Sequence, residues 1–171
     1  MTTARELVEV VRRAWATIPP PPPEDLQYMA WGWGENAARA FEGVAPIDVD
    51  RGSEGFQAAT PLLDLPPRAA AAYLGPYLIS LIEGIEFQQS VGIFTDVLIR
   101  AHTLACLTLP SFWERAIRPC LPPAARDAVR EVVESLASPP IKELLALSDE
   151  DAETMLTLAA DTPTASGRSA D

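Results

Sequence analysis

The sequence holds one histidine, two cysteines and one lysine, and each scarcity excludes a class of chemistry. A lone histidine, His102, rules out a multi-histidine metal site. The cysteines, Cys106 and Cys120, sit in apolar stretches without Cys-x-x-Cys spacing, which argues against a disulfide framework or a zinc knuckle. No run has the form of a P-loop, a dinucleotide-binding fingerprint or a Gly-x-Ser-x-Gly elbow. No stretch of about 20 residues is free of both charge and proline, as a membrane span would be, and Met1 to Arg13 lack the unbroken apolar run of a signal peptide. Strict alternation never lasts long enough for a strand. The expectation is a soluble, cytoplasmic protein without cofactor, metal or membrane partner.

Basic charge is also scarce. Asp and Glu outnumber Lys and Arg by 24 to 13, for a formal charge of -11, which disfavours nucleic acid and anionic lipid as ligands. From Glu143 onward seven acids face Arg168 alone, so that segment carries -6 of the -11. The single lysine is Lys142; the other basic residues are arginines, which suit bidentate pairing with carboxylates and are read mostly as partners of the many acids.

What the chain has in quantity is helical periodicity. Its length of 171 residues suits a single domain that buries on the order of 70% of its unfolded surface. The densest pattern runs from Leu62 to Leu109. There Ala70, Tyr73, Leu74, Tyr77, Leu78 and Leu81 share one helix side, and Gly75-Pro76 predicts a kink, since Pro76 cannot donate to the carbonyl of Ala72. Glu83 to Gly92 either extends this helix or forms a connector. A second helix, Phe94 to Leu107, carries Phe94, Val97, Leu98, Ala101, Leu104 and Ala105 inward, with Ile99, Cys106 and Leu107 widening the apolar surface; being apolar nearly all round, it should be central.

Around this core, Thr3-Ala4-Arg5-Glu6 has the form of a capping box opening a helix with Leu7, Val11, Ala14, Trp15 and Ile18 inward. Five prolines, Pro19 to Pro23, end it and favour a polyproline II rod, read as a stiff connector rather than a docking motif. Glu24 to Ala30 suits a short helix, and another around Ala37, Ala38, Phe41 and Val44 closes at Gly43. Pro46 to Thr60 reads as a loop that could hold a short hairpin. Its Asp48-Val-Asp50 run fails as a calcium loop, with Ser53 and Ala59 where glycine and glutamate are required. Ser111-Phe-Trp113-Glu114 predicts a capping box for a helix ending before Pro119. Pro122-Pro123 opens a helix with Ala125, Ala128, Val129, Val132, Val133 and Leu136 inward and Asp127, Arg130, Glu131 and Glu134 in water, ended by Pro139-Pro140. Ile141 to Leu147 forms a short helix. Ser148 caps a last one bearing Ala152, Met155, Leu156 and Ala159. The prediction is all-α: one compact domain of about six to eight helices over residues 1–160, a Pro-rich connector near its start, and a disordered tail over 161–171.

Two function classes follow. The first is a non-catalytic protein-binding module, immunity- or antitoxin-like, that engages a basic protein. Asp149, Glu150, Asp151 and Glu153 exceed what a helix cap requires, so their field can steer association. Trp31 and Trp33, set between glycines, are either core plugs at a tight bend or, if exposed, apolar anchors for the same partner. The alternative is a small enzyme using His102 and Cys106, which share a helix face at four-residue spacing, or a purely structural adaptor. Glu83 and Glu86 lack the Glu-x-x-His of a di-iron site and read as a solvated turn.

Ala40-Phe41-Glu42-Gly43-Val44-Ala45-Pro46, Leu62-Leu-Asp-Leu-Pro-Pro67, Ala72-Tyr73-Leu74-Gly-Pro-Tyr77-Leu78, Phe112-Trp113-Glu-Arg115, Leu121-Pro-Pro-Ala-Ala-Arg126 and Ala128-Val129-Arg130 together resemble an uncharacterised bacterial family of small helical proteins, a domain of unknown function. The resemblance spans roughly residues 37–138. The family sets its proline one step earlier than Pro76. It implies a single domain and no catalytic residue.

Overall fold

A computed structural model describes residues 3–26, 41–58, 61–92 and 97–162. Trp31, Trp33, Phe94, Ala37, Ala38 and the segment beyond Thr162 lie outside them. Among the described residues the chain is compact and all-helical, with eight helices and no strand.

Helix α1, Ala4–Trp15, starts as the sequence predicts. Thr3 accepts from the backbone of Glu6, whose carboxylate returns to the Thr3 amide at 2.7 Å. Leu7, Val11 and Trp15 are buried along one stripe. Pro22 is extended (φ -62°, ψ 149°), but Pro23 already opens a 3-10 turn, Pro23–Asp25, so the rod ends one proline earlier than expected. Pro21 is buried, as suits a connector laid on the body.

The segment of residues 41–58 holds a 3-10 turn, Pro46–Asp48, and helix α2, Glu54–Ala58, where a hairpin had room to form. It is fastened to the centre by aromatic rings. Phe41 stacks on Tyr73 and Phe56 on Tyr77, each at 4.2 Å, and both tyrosine hydroxyls donate to carbonyls of the segment, Tyr73 to Phe41 at 2.6 Å and Tyr77 to Phe56 at 3.0 Å.

The centre is α3, Pro67–Val91, which settles the open question after Leu81: the helix runs on to Gly92, its left-handed cap at φ 80°. At 25 residues it is about 37 Å long, and α1, the two 3-10 turns Pro46–Asp48 and Pro61–Leu63, and the segments Val97–Thr108, Trp113–Ile117 and Pro139–Leu145 pack on it. Gly75-Pro76 lies within it as a seat for Trp15. Pro76 leaves the Ala72 carbonyl without its usual donor, and the Trp15 indole N–H takes that place at 2.8 Å. Gly75 makes the room, because a methyl there would meet three indole carbons at 2.5–2.7 Å.

Helix α4, Val97–Thr108, corrects two expectations. It is peripheral, and its inward side is Ile99, Thr103, Leu104, Cys106 and Leu107. Val97 and Leu98 are 53% and 61% exposed, and Ala101 and Ala105 also face out. Thr103 hides the true face from a hydrophobicity pattern: its hydroxyl donates to the Ile99 carbonyl at 2.7 Å, and that internal bond lets it be fully buried.

The next helix, α5, joins Pro110–Phe112, a π-helical Trp113–Ile117 and Arg118–Cys120. The expected Ser111 cap is absent, since Leu109 is the N-cap and Pro110 the first helical residue. Nor does Pro119 stop it. The wide turn has the Arg118 amide donating to the Trp113 carbonyl, and the Cys120 thiol reaches the Arg115 carbonyl that Pro119 cannot serve, at 3.7 Å.

Helix α6, Pro123–Leu136, buries all six residues expected. It ends by itself at Ala137, and Pro139 instead opens α7, Pro139–Leu145, which closes on Ala146 in the left-handed region at φ 53°. Helix α8, Asp149–Ala160, is capped by Ser148 and buries Leu158 rather than Leu156. Thr162 is buried, with its hydroxyl on the Leu158 carbonyl at 2.9 Å.

The arginines divide differently from the expectation. Arg51 pairs with Glu83 at 2.6 Å and Arg12 approaches it at 3.9 Å. Arg115, by contrast, spends its guanidinium on the carbonyls of Leu62, Leu63 and Leu65 at 2.7–3.1 Å. Arg126 holds the Arg118 carbonyl. Arg130, expected in water, is half-buried; it holds those of Ala159 and Thr162 and also meets the Asp127 carboxylate at 3.4 Å.

Candidate partner-binding surface

The acidic start of α8 is built by one serine and one lysine. Ser148 accepts from the Asp151 amide at 3.0 Å and donates to its carboxylate at 2.7 Å. Lys142, on α7, donates to Asp149. That hydrogen bond, with the lysine's charge, holds the Asp149 carboxyl below its ordinary value. Asp149, Glu150 and Glu153 are exposed and Asp151 is half-buried. Two of the four acids therefore also serve locally, Asp149 in tying α8 to α7 and Asp151 in the cap. Glu150 and Glu153 stand out from the helix into solvent. Trp31 and Trp33, the expected apolar anchors, lie outside the described residues, so the acids alone define this surface.

Helix α7 also forms one wall of a cleft of about 340 Å³. Leu7 of α1, Ile82 and Ile85 of α3, Val132 and Leu136 of α6 and Ile141 of α7 supply its apolar lining. All except Ile141 are buried. Thr3, Ser135, Glu86 and Gln89 bring polar atoms to it. Glu86 is the charged side chain of the lining among the described residues; no lysine or arginine belongs to it. Glu6 adds a second carboxylate close by, accepting from the Thr3 hydroxyl at 2.8 Å. Spacing alone makes Glu83 and Glu86 a solvated turn. Continuing the stripe of Leu78 and Leu81 through Ile82 and Ile85 would have placed Glu86 and Gln89 beside that stripe.

His102 and Cys106 are held differently. His102 is half-buried and Cys106 fully buried, and no hydrogen bond joins them among the described residues. Burial pushes the Cys106 thiol up to about 12, with Arg115 pulling weakly the other way. A nucleophilic cysteine needs the opposite shift. Among the described residues no group of three His, Cys, Asp or Glu side chains is placed to hold a metal ion, and no helix is long and apolar enough to cross a membrane. No protein-family model, curated protein or solved structure matches the chain, so its surface is read from its own chemistry.

Proposed function

We propose that the protein is a non-catalytic, cytoplasmic binding module, immunity- or antitoxin-like, whose acidic surface engages a basic protein. One observation carries the reading: Asp149, Glu150 and Glu153 are exposed together at the start of a capped helix, on a chain of net charge -11. Such a field raises the encounter rate with a cationic partner and selects against acidic ones.

The test is a pull-down from the native host with mass spectrometry, using wild type, the pair Glu150→Gln/Glu153→Gln, and the fourfold variant that adds Asp149→Asn and Asp151→Asn. The paired variant leaves the Ser148 cap and the Lys142 contact in place. A basic protein captured by wild type, released by raised salt and lost or associating about tenfold more slowly with the paired variant supports the reading. An identical partner list for all three proteins removes the acidic segment from the function.

A further inference from the structure

We infer that the cleft between α1, α3, α6 and α7 receives one or two apolar side chains projecting from a basic segment of the partner protein. The inference rests on the binding reading above and says where the partner's apolar anchor goes. Most of the lining is aliphatic, so hydrocarbon placed in the cleft displaces water from apolar surface. Its volume, about 340 Å³, lies at the small end of ligand sites and suits side chains rather than a whole helix. The charged side chain in its lining is an acid. Glu86 lines the cleft and the Glu6 carboxylate sits on Thr3, another lining residue. On the far side, Ile141 of the lining is followed by Lys142, whose ammonium is engaged by Asp149. The helix that walls the cleft is thus tied to the acidic start of α8. A leucine or phenylalanine flanked by lysine or arginine satisfies both features, because the apolar body fills the slot while the cations meet carboxylates at its edge.

Three synthetic amphipathic helices test this: leucine with lysine, leucine with glutamate, and alanine with lysine. Each is titrated into the full chain with methyl NMR and calorimetry. The leucine–lysine helix is expected to shift the methyls of Ile82, Ile85, Val132 and Ile141, with the other two at least about tenfold weaker. Ser135→Trp is expected to fill the cleft and weaken the leucine–lysine helix by a similar factor; Gln89→Trp, on the exposed rim of α3, does the same without a change in the buried floor. Glu86→Gln is expected to weaken binding at low salt and to matter little at high salt. Shifts confined to the start of α8, with both tryptophan variants binding as wild type, overturn the cleft while leaving the acidic-surface reading standing. Equal binding of the leucine–glutamate helix overturns the charge argument and with it the basic partner segment. No binding of either lysine helix overturns both.

Discussion

Placing a methyl group on Gly75 tests how α1 is locked to α3. The new Cβ would lie 2.5 Å from the nearest indole carbon of Trp15, and Trp15 is fully buried, so the ring must move. Overpacking costs about 1–3 kcal/mol. Displacing the indole also breaks its 2.8 Å hydrogen bond and leaves the Ala72 carbonyl buried without a donor, for about 1–3 kcal/mol more. Alanine in place of glycine within a helix returns about 1 kcal/mol. The net is a loss of about 3 kcal/mol for Gly75→Ala, or about 6–12 °C in melting temperature for a chain of this size. Urea unfolding followed by circular dichroism measures it, and a variant as stable as wild type would refute the packing argument. A double-mutant cycle then isolates the hydrogen bond. Trp15→Phe removes the donor, whereas Pro76→Ala supplies an amide that can serve Ala72 in its place. The cost of Trp15→Phe should therefore fall by about 1 kcal/mol or more in the Pro76→Ala background. Additivity within about 0.5 kcal/mol would mean that the indole is not standing in for the missing helix donor.

Arg115→Met should cost about 2–4 kcal/mol, since it strips donors from three carbonyls of the turn before α3; a urea midpoint within error of wild type would show that water replaces the guanidinium. Arg130→Gln should cost about 1 kcal/mol and speed hydrogen exchange in the last turn of α8, where unchanged exchange would place that turn's stability elsewhere. Ala146→Gly should stabilise by about 0.5 kcal/mol, because relief of the left-handed strain outweighs the extra freedom of the unfolded chain; a lower midpoint would contradict this. The Cys106 thiol is raised from 9.0 to about 12, so as pH climbs the unfolded chain releases that proton first. Stability is full below about pH 9 and declines from there toward about pH 12, with Tyr73 and Tyr77, also raised by burial, steepening the loss. Cys106→Ala should flatten the pH dependence of the urea midpoint over that window. In the native protein iodoacetamide should reach Cys120 before Cys106, and rapid labelling of Cys106 that disappears with His102→Ala would revive the thiol–imidazole reading.

Where a feature depends on residues three or four apart, the sequence determined it. The Thr3–Glu6 box, the Ser148 cap and the inward face of α6 all came from local spacing, because a helix puts such residues on one side whatever surrounds it. The all-α class follows from the same periodicity, and the exposure of Asp149, Glu150 and Glu153 from the cost of burying charge at a helix start. Only the tertiary structure decided which side of α4 turns inward: two apolar arcs compete there, and Thr103 is admitted to the core by a bond its pattern does not advertise. It also decided that Pro76 is a seat rather than a bare kink, since the donor that completes it comes from Trp15 in another helix. Arg115 found carbonyls instead of a carboxylate, and Arg130 added two carbonyls to its neighbour Asp127, for the same reason, as the backbone groups they hold lie far away along the chain. The cleft is a product of four helix segments meeting, and no single stretch carries its outline. Local spacing fixes what each helix can bury; how the helices meet selects what each one does bury.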